Sequence, residues 1–254
     1  MYDLIASQYS QFFPCDPGRL ALVRRWLAPG SGRILDIGSA SGDFVLALAA
    51  AGYQAEGWEP DDSLYSLAAQ RAAAVAVATV AAVTTDPAGL VALRPLFRQA
   101  GLLDLTETAA YDLITCLGNT LPHLRDSIQV ADFCVRAARA LRPGGRLLLQ
   151  LMNYDRLVGQ PSFAFPDIET DRVVFSRRYT SITNQAADFH IRLLDKATGA
   201  GQAASSRLYP IRRSTLASSL AATGFHTVSF CRDYSLTVAD GSEPHYLVWA
   251  ELTV

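Results

Sequence analysis

An α/β fold built on a mostly parallel sheet is the fold class this sequence predicts, and three observations carry it. Short apolar runs alternate with helical stretches between residues 33 and 152, as expected of a sheet covered on both faces. The first run, Arg33-Ile34-Leu35-Asp36-Ile37, enters a turn of small residues, Gly38-Ser39-Ala40-Ser41-Gly42, and leaves it as a helix over 43–51. After Asn153 the pattern shifts to strand-like alternation with turns at Thr183-Asn184 and Thr198-Gly199, which reads as a small antiparallel β excursion.

Residues 1–32 read as an amino-terminal helical cap. A mixed aromatic and polar stretch over 2–13 stops at Pro14, and a helix over 19–27 is closed by Pro29-Gly30-Ser31-Gly32. Residues 33–152 form the core. A second strand over 53–58 ends at Glu59-Pro60, and a helix begins at 63. The Ala- and Val-rich stretch 72–97, broken by Thr84-Thr85-Asp86-Pro87, reads as an inserted helical pair. Its most apolar part, 72–83, is expected to be a buried helix, since it falls well short of the roughly 20 residues needed to cross a bilayer. The third strand is placed within 98–105, the fourth over 111–117, a helix over 127–141, and the fifth strand over 145–152 after the turn Arg142-Pro143-Gly144-Gly145. Residues 153–213 form the excursion, with strands over 173–182, 187–194 and 205–209. A helix over 214–223 capped by Gly224, then strands over 226–232 and 245–253, bring the main sheet to seven strands in a single domain.

Of the 254 residues 50% are hydrophobic and 18% charged, which supports a large core and excludes a disordered chain. The net charge is −2 and no stretch concentrates Lys and Arg, so neither nucleic acid nor an anionic membrane is expected as a partner. Cys15, Cys116, Cys134 and Cys231 are scattered without a Cys-x-x-Cys pair, so no zinc site, other metal or disulfide framework is expected. Met1-Tyr2-Asp3 lacks the start of a signal peptide, and a cytoplasmic location is expected. The excursion and the apolar insertion offer surfaces for a homodimer.

Ligands on open α/β sheets bind beyond the carboxyl ends of the strands. Gly38 and Gly42 let backbone approach a ligand closely, and the helix after them presents unpaired N–H groups. Ala40 stands where a Gly-x-Gly-x-x-Gly dinucleotide loop has its middle glycine, and Asp43 replaces the third, which weakens a pyrophosphate reading. Asp36, a carboxylate at the end of an inner strand, calls for a cation or for hydrogen-bond donors; sulfonium and ammonium groups both qualify. Glu59 suits a pair of ribose hydroxyls, or else caps the helix that starts at Asp61-Asp62-Ser63. Asp104 suits an exocyclic adenine amine, or is a plain turn residue.

In order along the chain, Leu35-Asp36-Ile37-Gly38-Ser39-Ala40-Ser41-Gly42, Gly57-Trp58-Glu59-Pro60, Leu103-Asp104, Tyr111-Asp112-Leu113-Ile114 and Leu141-Arg142-Pro143-Gly144-Gly145 resemble the motifs of class I S-adenosylmethionine-dependent methyltransferases. The resemblance covers most of residues 33–152, and departs from the family at Ala40, usually glycine, and in the length of 72–97. It implies a Rossmann-like seven-stranded methyltransferase sheet with helices on both faces. It also implies S-adenosylmethionine as cofactor and S-adenosylhomocysteine as product. Asp36, Gly38, Ser39, Ala40 and Gly42 would hold the amino-acid end, Glu59 with Pro60 the ribose, and Asp104 with Leu105 the adenine, while Leu117 and Gly118 flank the methionine moiety. A narrower likeness, in Cys116-Leu117-Gly118-Asn119-Thr120-Leu121-Pro122-His123-Leu124 and Asn153-Tyr154-Asp155, is to glycine and sarcosine N-methyltransferases, where such segments border the methyl acceptor.

Methyl transfer from a sulfonium chiefly needs a nucleophile held in line and water excluded, and positioning alone is worth about 7–11 kcal/mol. Asn119 and His123 are the candidates for orienting a small-molecule acceptor such as an amine or amino acid, with His123 able to accept a proton. His123 reads equally well as a residue following Pro122 at a helix start. Arg177 or Arg178 could grip an acceptor carboxylate, but adjacent strand residues face opposite sides, so at most one enters a pocket. Both could instead pair on the surface with Asp171 and Asp188. Tyr9 is placed to close the pocket, and Asn153 and Tyr154 to border the acceptor. Two rivals stand beside this reading. One is a nicotinamide-dependent oxidoreductase, disfavoured by the missing third glycine. The other is a methyltransferase-like regulatory subunit without turnover, against which Asp36, Glu59 and Asn119 argue.

Overall fold

The computed structural model describes residues 1–82 and 96–253, with β1 (Arg33–Ile37) at its centre. This strand pairs in parallel with β2 (Gln54–Trp58) on one side and β4 (Tyr111–Cys116) on the other. Beyond β2 lies the two-residue β3 (Phe97–Arg98); beyond β4 lie β5 (Leu141–Met152), β12 (His245–Leu252) and β11 (Phe225–Cys231). The last two join antiparallel, giving seven strands. Because the neighbours of β1 lead in opposite directions, the loops at its carboxyl end diverge and open a crevice there.

Strand alternation assigns the core. Ile34, Leu113 and Leu148 point to one face, where α2 (Pro17–Trp26) and α3 (Asp43–Ala50) bring Leu22, Val23, Phe44, Val45 and Leu48 against them. Leu35, Ile114, Leu147 and Leu149 point to the other, under α5 (Ser127–Ala140) and α7 (Arg213–Ala221). Every one of these apolar side chains is buried, each full burial being worth about 1.5–3 kcal/mol.

A second, antiparallel sheet roofs the crevice. Its order is β10 (Gly201–Leu208), β9 (Ala187–Asp195), β8 (Val173–Thr180) and β6 (Ser162–Ala164), with β7 (Ile168–Glu169) also on β8. Phe175, Tyr179, Phe189 and Ile191 alternate onto its inner side, and the Phe12 ring from α1 (Tyr9–Phe12) stacks on Phe175 at 4.5 Å.

The structure corrects four expectations. No helical pair begins at 72: α4 (Asp62–Ala82) runs unbroken through that point, Ala73, Ala74 and Val75 on it are exposed rather than buried, and residues 83–95 lie outside the described residues. The third strand ends at Arg98; Leu102–Asp104 is a single 3-10 turn, tightened by the Asp104 carboxylate accepting the Gly101 N–H at 2.7 Å. The turn 142–145 does not precede the fifth strand but is a bulge within β5, Tyr111 facing Leu141 and Leu113 facing Arg146. The short elements α6 (Tyr154–Leu157), β6 and β7 carry too little periodicity to be seen in sequence. Among the described residues no helix is long and apolar enough to cross a membrane.

Asn153, expected beside an acceptor, is a tether. It is 4% exposed and lines neither cavity at the carboxyl end of the sheet; its amide donates to the carbonyls of Gly241 and Glu243, both at 3.0 Å, stitching the end of β5 to the loop before β12. Asn153→Ala strands two acceptors, at an expected cost of about 1–3 kcal/mol. A urea midpoint unchanged from the parent protein would contradict that assignment.

Candidate active site

Two cavities of about 480 and 540 Å³ open at the carboxyl ends of β1, β2 and β4. They meet at Gly38, Ala40 and Gly118, beneath Tyr2, Tyr9 and His123, which line both.

The wall between them is the bend after β1. The Gly38 and Ser39 N–H groups both donate to the Trp58 carbonyl, at 2.7 and 3.0 Å, locking the bend to the end of β2. Gly38 adopts φ 76°, and a Cβ there would lie 2.4 Å from Thr120, so only glycine fits. Ala40 is also left-handed, at φ 49°. Its N–H donates to one oxygen of the Glu59 carboxylate at 2.9 Å, while the other oxygen takes the Asp61 N–H at 3.0 Å. Burial pushes the Glu59 carboxyl up to about 7, against these two N–H bonds that favour its ionised form. Glu59, Pro60, Asp61, Leu102, Leu103 and Asp104 line the larger cavity. Asp104 is there, with one oxygen committed to Gly101; Leu105 is fully buried in the core behind and lines neither cavity.

Asp36, Ser39, Ser41, Leu117 and Gly118 line the smaller cavity. Gly42 lies behind it, its N–H bonded to the Ser39 carbonyl at 2.9 Å as α3 begins. Burial raises the Asp36 carboxyl to about 6, opposed by the Thr115 hydroxyl donating at 2.6 Å and by the charge of Arg19. The Ser39 hydroxyl is buried without a partner among the described residues.

Asn119, at φ 66° just beyond β4, has both amide N–H groups in use: Nδ2 donates to the Tyr154 and Tyr179 hydroxyls at 3.2 and 3.1 Å, while Oδ1 accepts the Met152 N–H at 2.9 Å. It is therefore a positioning group for Tyr179, which faces the cavity. Tyr154 is fully buried behind that wall and does not border the cavity as expected. His123 lies in a 3-10 turn with its Nε2 3.0 Å from the Tyr2 hydroxyl; desolvation lowers its pKa although one edge stays open.

Of the adjacent arginines only Arg177 enters the cavity. Arg178 lines an outer groove and is exposed, so its expected role at the acceptor is withdrawn. Tyr9 lines both cavities, its ring against Phe13 at 5.0 Å. What holds this cover down was not visible in sequence. Ser10 donates to Asp43 at 2.6 Å, and Arg71 from α4 bonds Asp43 at 2.6 Å and the Ser41 carbonyl at 2.8 Å. Asp43 is consequently held below the usual carboxylate range despite partial burial, by Arg71, Ser10 and Ser41. Arg19, Gln150 and His245 also line the smaller cavity; each comes from a distant element, and only the acid at the first position of α3 had a local signal.

The sequence matches the family described as methyltransferase domain over residues 16–230. No curated protein matches it. Among solved structures, the CcbJ methyltransferase from Streptomyces caelestis is 18% identical with a TM-score of 0.77, covering 100% of this chain and 97% of that one. The sugar N-methyltransferase KedS8 from Streptoalloteichus sp is 16% identical, TM-score 0.68, covering 100% and 93%. CalS10 from Micromonospora echinaspora, a SAM-bound amino pentose methyltransferase, is 18% identical, TM-score 0.69, covering 98% and 97%. At these identities the likeness is one of fold.

Asp36 reports directly on the electrostatics of the bend. Thr115→Val removes the hydroxyl that favours the ionised carboxylate, so the Asp36 pKa should rise further above about 6 in a carboxyl-detected NMR titration. A value that stays put or falls would show that the hydroxyl is not what supports the charge.

Proposed function

The chain belongs to the methyltransferase-domain family and is an S-adenosylmethionine-dependent methyltransferase, and from that premise we propose that it methylates a small-molecule acceptor, an amine or an amino acid, by direct in-line transfer. The observation that carries this reading is the meeting of two chambers at Gly38, Ala40 and Gly118, one with a carboxylate suited to a ribose and the other walled by aromatic rings. When bound, S-adenosylmethionine supplies an electrophilic methyl on a sulfonium and leaves as S-adenosylhomocysteine.

The residues fit that cofactor. Among the described residues the buried Ser39 hydroxyl has no partner and an added Cβ at Gly118 would meet nothing within 4 Å, and two buried carboxylates flank the bend. Glu59 keeps lone pairs for ribose hydroxyls beyond its two N–H bonds. Pro60, Leu102, Leu103 and Asp104 wall the adenine end, with the 3-10 turn taking the place expected of Leu105. Asp36 and Arg19, opposite in charge, suit the ammonium and carboxylate of the amino-acid end.

For the acceptor, Tyr9 and Tyr179 offer ring faces and hydroxyls, the latter aimed by Asn119. An ammonium must lose a proton before its lone pair can attack. The lowered pKa of His123 leaves it neutral near pH 7 and able to take that proton through Tyr2. The sugar N-methyltransferase KedS8, whose fold this chain shares, supports nitrogen as the methylated atom. That all four cysteines are free supports a reducing, cytoplasmic setting.

Two outcomes follow. Affinity for S-adenosylhomocysteine, measured by calorimetry, should be full above pH 7 and fall as pH drops through the Glu59 pKa of about 7, approaching tenfold per unit because hydroxyl donors need the ionised form. Glu59→Gln should bind at least about tenfold more weakly and lose that pH step; a pH-independent affinity in the parent protein would contradict the role. In a screen with labelled S-adenosylmethionine, amines and amino acids should accept the methyl. Turnover confined to phenols or alcohols would overturn the nitrogen assignment.

A further inference from the structure

Arg177 sits on the inner side of β8, between Phe175 and Tyr179, with its guanidinium carbon 4.9 Å from the Phe165 ring centre, 5.5 Å from Phe13 and 5.6 Å from Phe175. One Nη donates to the Pro166 carbonyl at 3.0 Å. Among the described residues its buried Nε has no partner and its guanidinium forms no ion pair. A guanidinium carries five donors in a fixed fork. Three aromatic faces offset part of the cost of removing this one from water, but they satisfy none of those donors.

On its other side Arg177 lines an outer groove of about 530 Å³, which shares Phe165, Arg177 and Ile191 with the aromatic chamber. Arg178, His190 and Arg192 also line it, with Asp167 as the carboxylate of that lining. The groove is thus electropositive where it reaches the chamber.

We propose that the acceptor carries an oxyanion, a carboxylate or a phosphate, which docks on the Arg177 fork where the outer groove meets the chamber, while its apolar body lies among Phe13, Phe165, Phe175 and Tyr179. A planar oxyanion accepts two parallel N–H bonds from such a fork. At the cofactor end Arg19 faces Asp36 and Arg71 pairs with Asp43, so those charges are matched, whereas Arg177 at the far end of the chamber keeps an unpartnered donor for the oxyanion. The proposal rests on the methyltransferase reading for the chamber's role, but its binding signature is independent of turnover.

The test is calorimetry with 3-phenylpropionate, 3-phenylpropionamide and phenyl phosphate, with and without saturating S-adenosylhomocysteine. An anion should bind at least about tenfold more tightly than the amide, and Arg177→Gln should erase that preference. The stronger of the two anions identifies the acceptor as carboxylated or phosphorylated. Equal binding of acid and amide, no binding of either anion at millimolar concentration, or a preference that survives Arg177→Gln overturns the proposal. Should the variant fail to fold, the acid-to-amide ratio of the parent protein decides alone. Anion preference without any S-adenosylhomocysteine binding would defeat the methyltransferase reading and leave the oxyanion site standing.

Discussion

A single buried carboxylate holds the crevice in shape. Glu59 leaves β2 and accepts the N–H of Ala40, a non-glycine residue at φ 49°. A left-handed alanine costs about 1–2 kcal/mol, and a charge-assisted bond to a buried carboxylate is worth about that much. The same oxygen pair takes the Asp61 N–H, so one side chain fixes the bend after β1 and the start of the helix after β2. Asp36, a few residues away, is likewise buried, and both carboxyls are displaced toward neutrality by desolvation. The free site therefore holds two acids in an environment that disfavours their charge. A ligand that brings hydroxyl donors and a cation relieves both, which is how buried acids become binding groups.

The cover is built on the same logic. Tyr2, Tyr9 and Phe12 alone would be a loose apolar flap, but Ser10 ties it to Asp43, and Arg71 clamps Asp43 and the Ser41 carbonyl. The acid at the start of α3 thus serves the helix end and the cover together. The antiparallel sheet completes the enclosure by laying Phe175, Tyr179 and Phe189 over the opening. Aromatic walls exclude water, which strengthens every polar contact inside. Asn119 is typical of the arrangement: both its amide N–H groups are committed to tyrosine hydroxyls and its Oδ1 holds the Met152 N–H, so it acts by aiming the Tyr179 hydroxyl.

The central sheet and the bend after β1 were legible in the sequence because local rules decide them. Arg33–Ile37 is apolar on both faces and runs into small residues, which leaves few alternatives to strand, bend and helix. Glu59 follows from its place at a strand end. Where long-range partners decide, local reading failed. Leu102-Leu103-Asp104 looks like a strand end, but Asp104 turns back on Gly101. Asn153 looks like a binding group, yet its partners are carbonyls about ninety residues on. Alternation showed that one of Arg177 and Arg178 could face inward, and only the placement of β8 against the amino-terminal segment chose between them. Arg19 and Arg71 gave no signal, because an arginine on a helix is usually solvated until a buried acid is folded against it.

The most direct measurement is a crystal structure of the protein grown with S-adenosylhomocysteine. The adenosyl group should lie against Glu59 with the Ala40 N–H bond intact, and the amino-acid end at Asp36 and Arg19. Ligand density elsewhere on the chain, or Glu59 rotated out of the crevice with the bend unchanged, would contradict it.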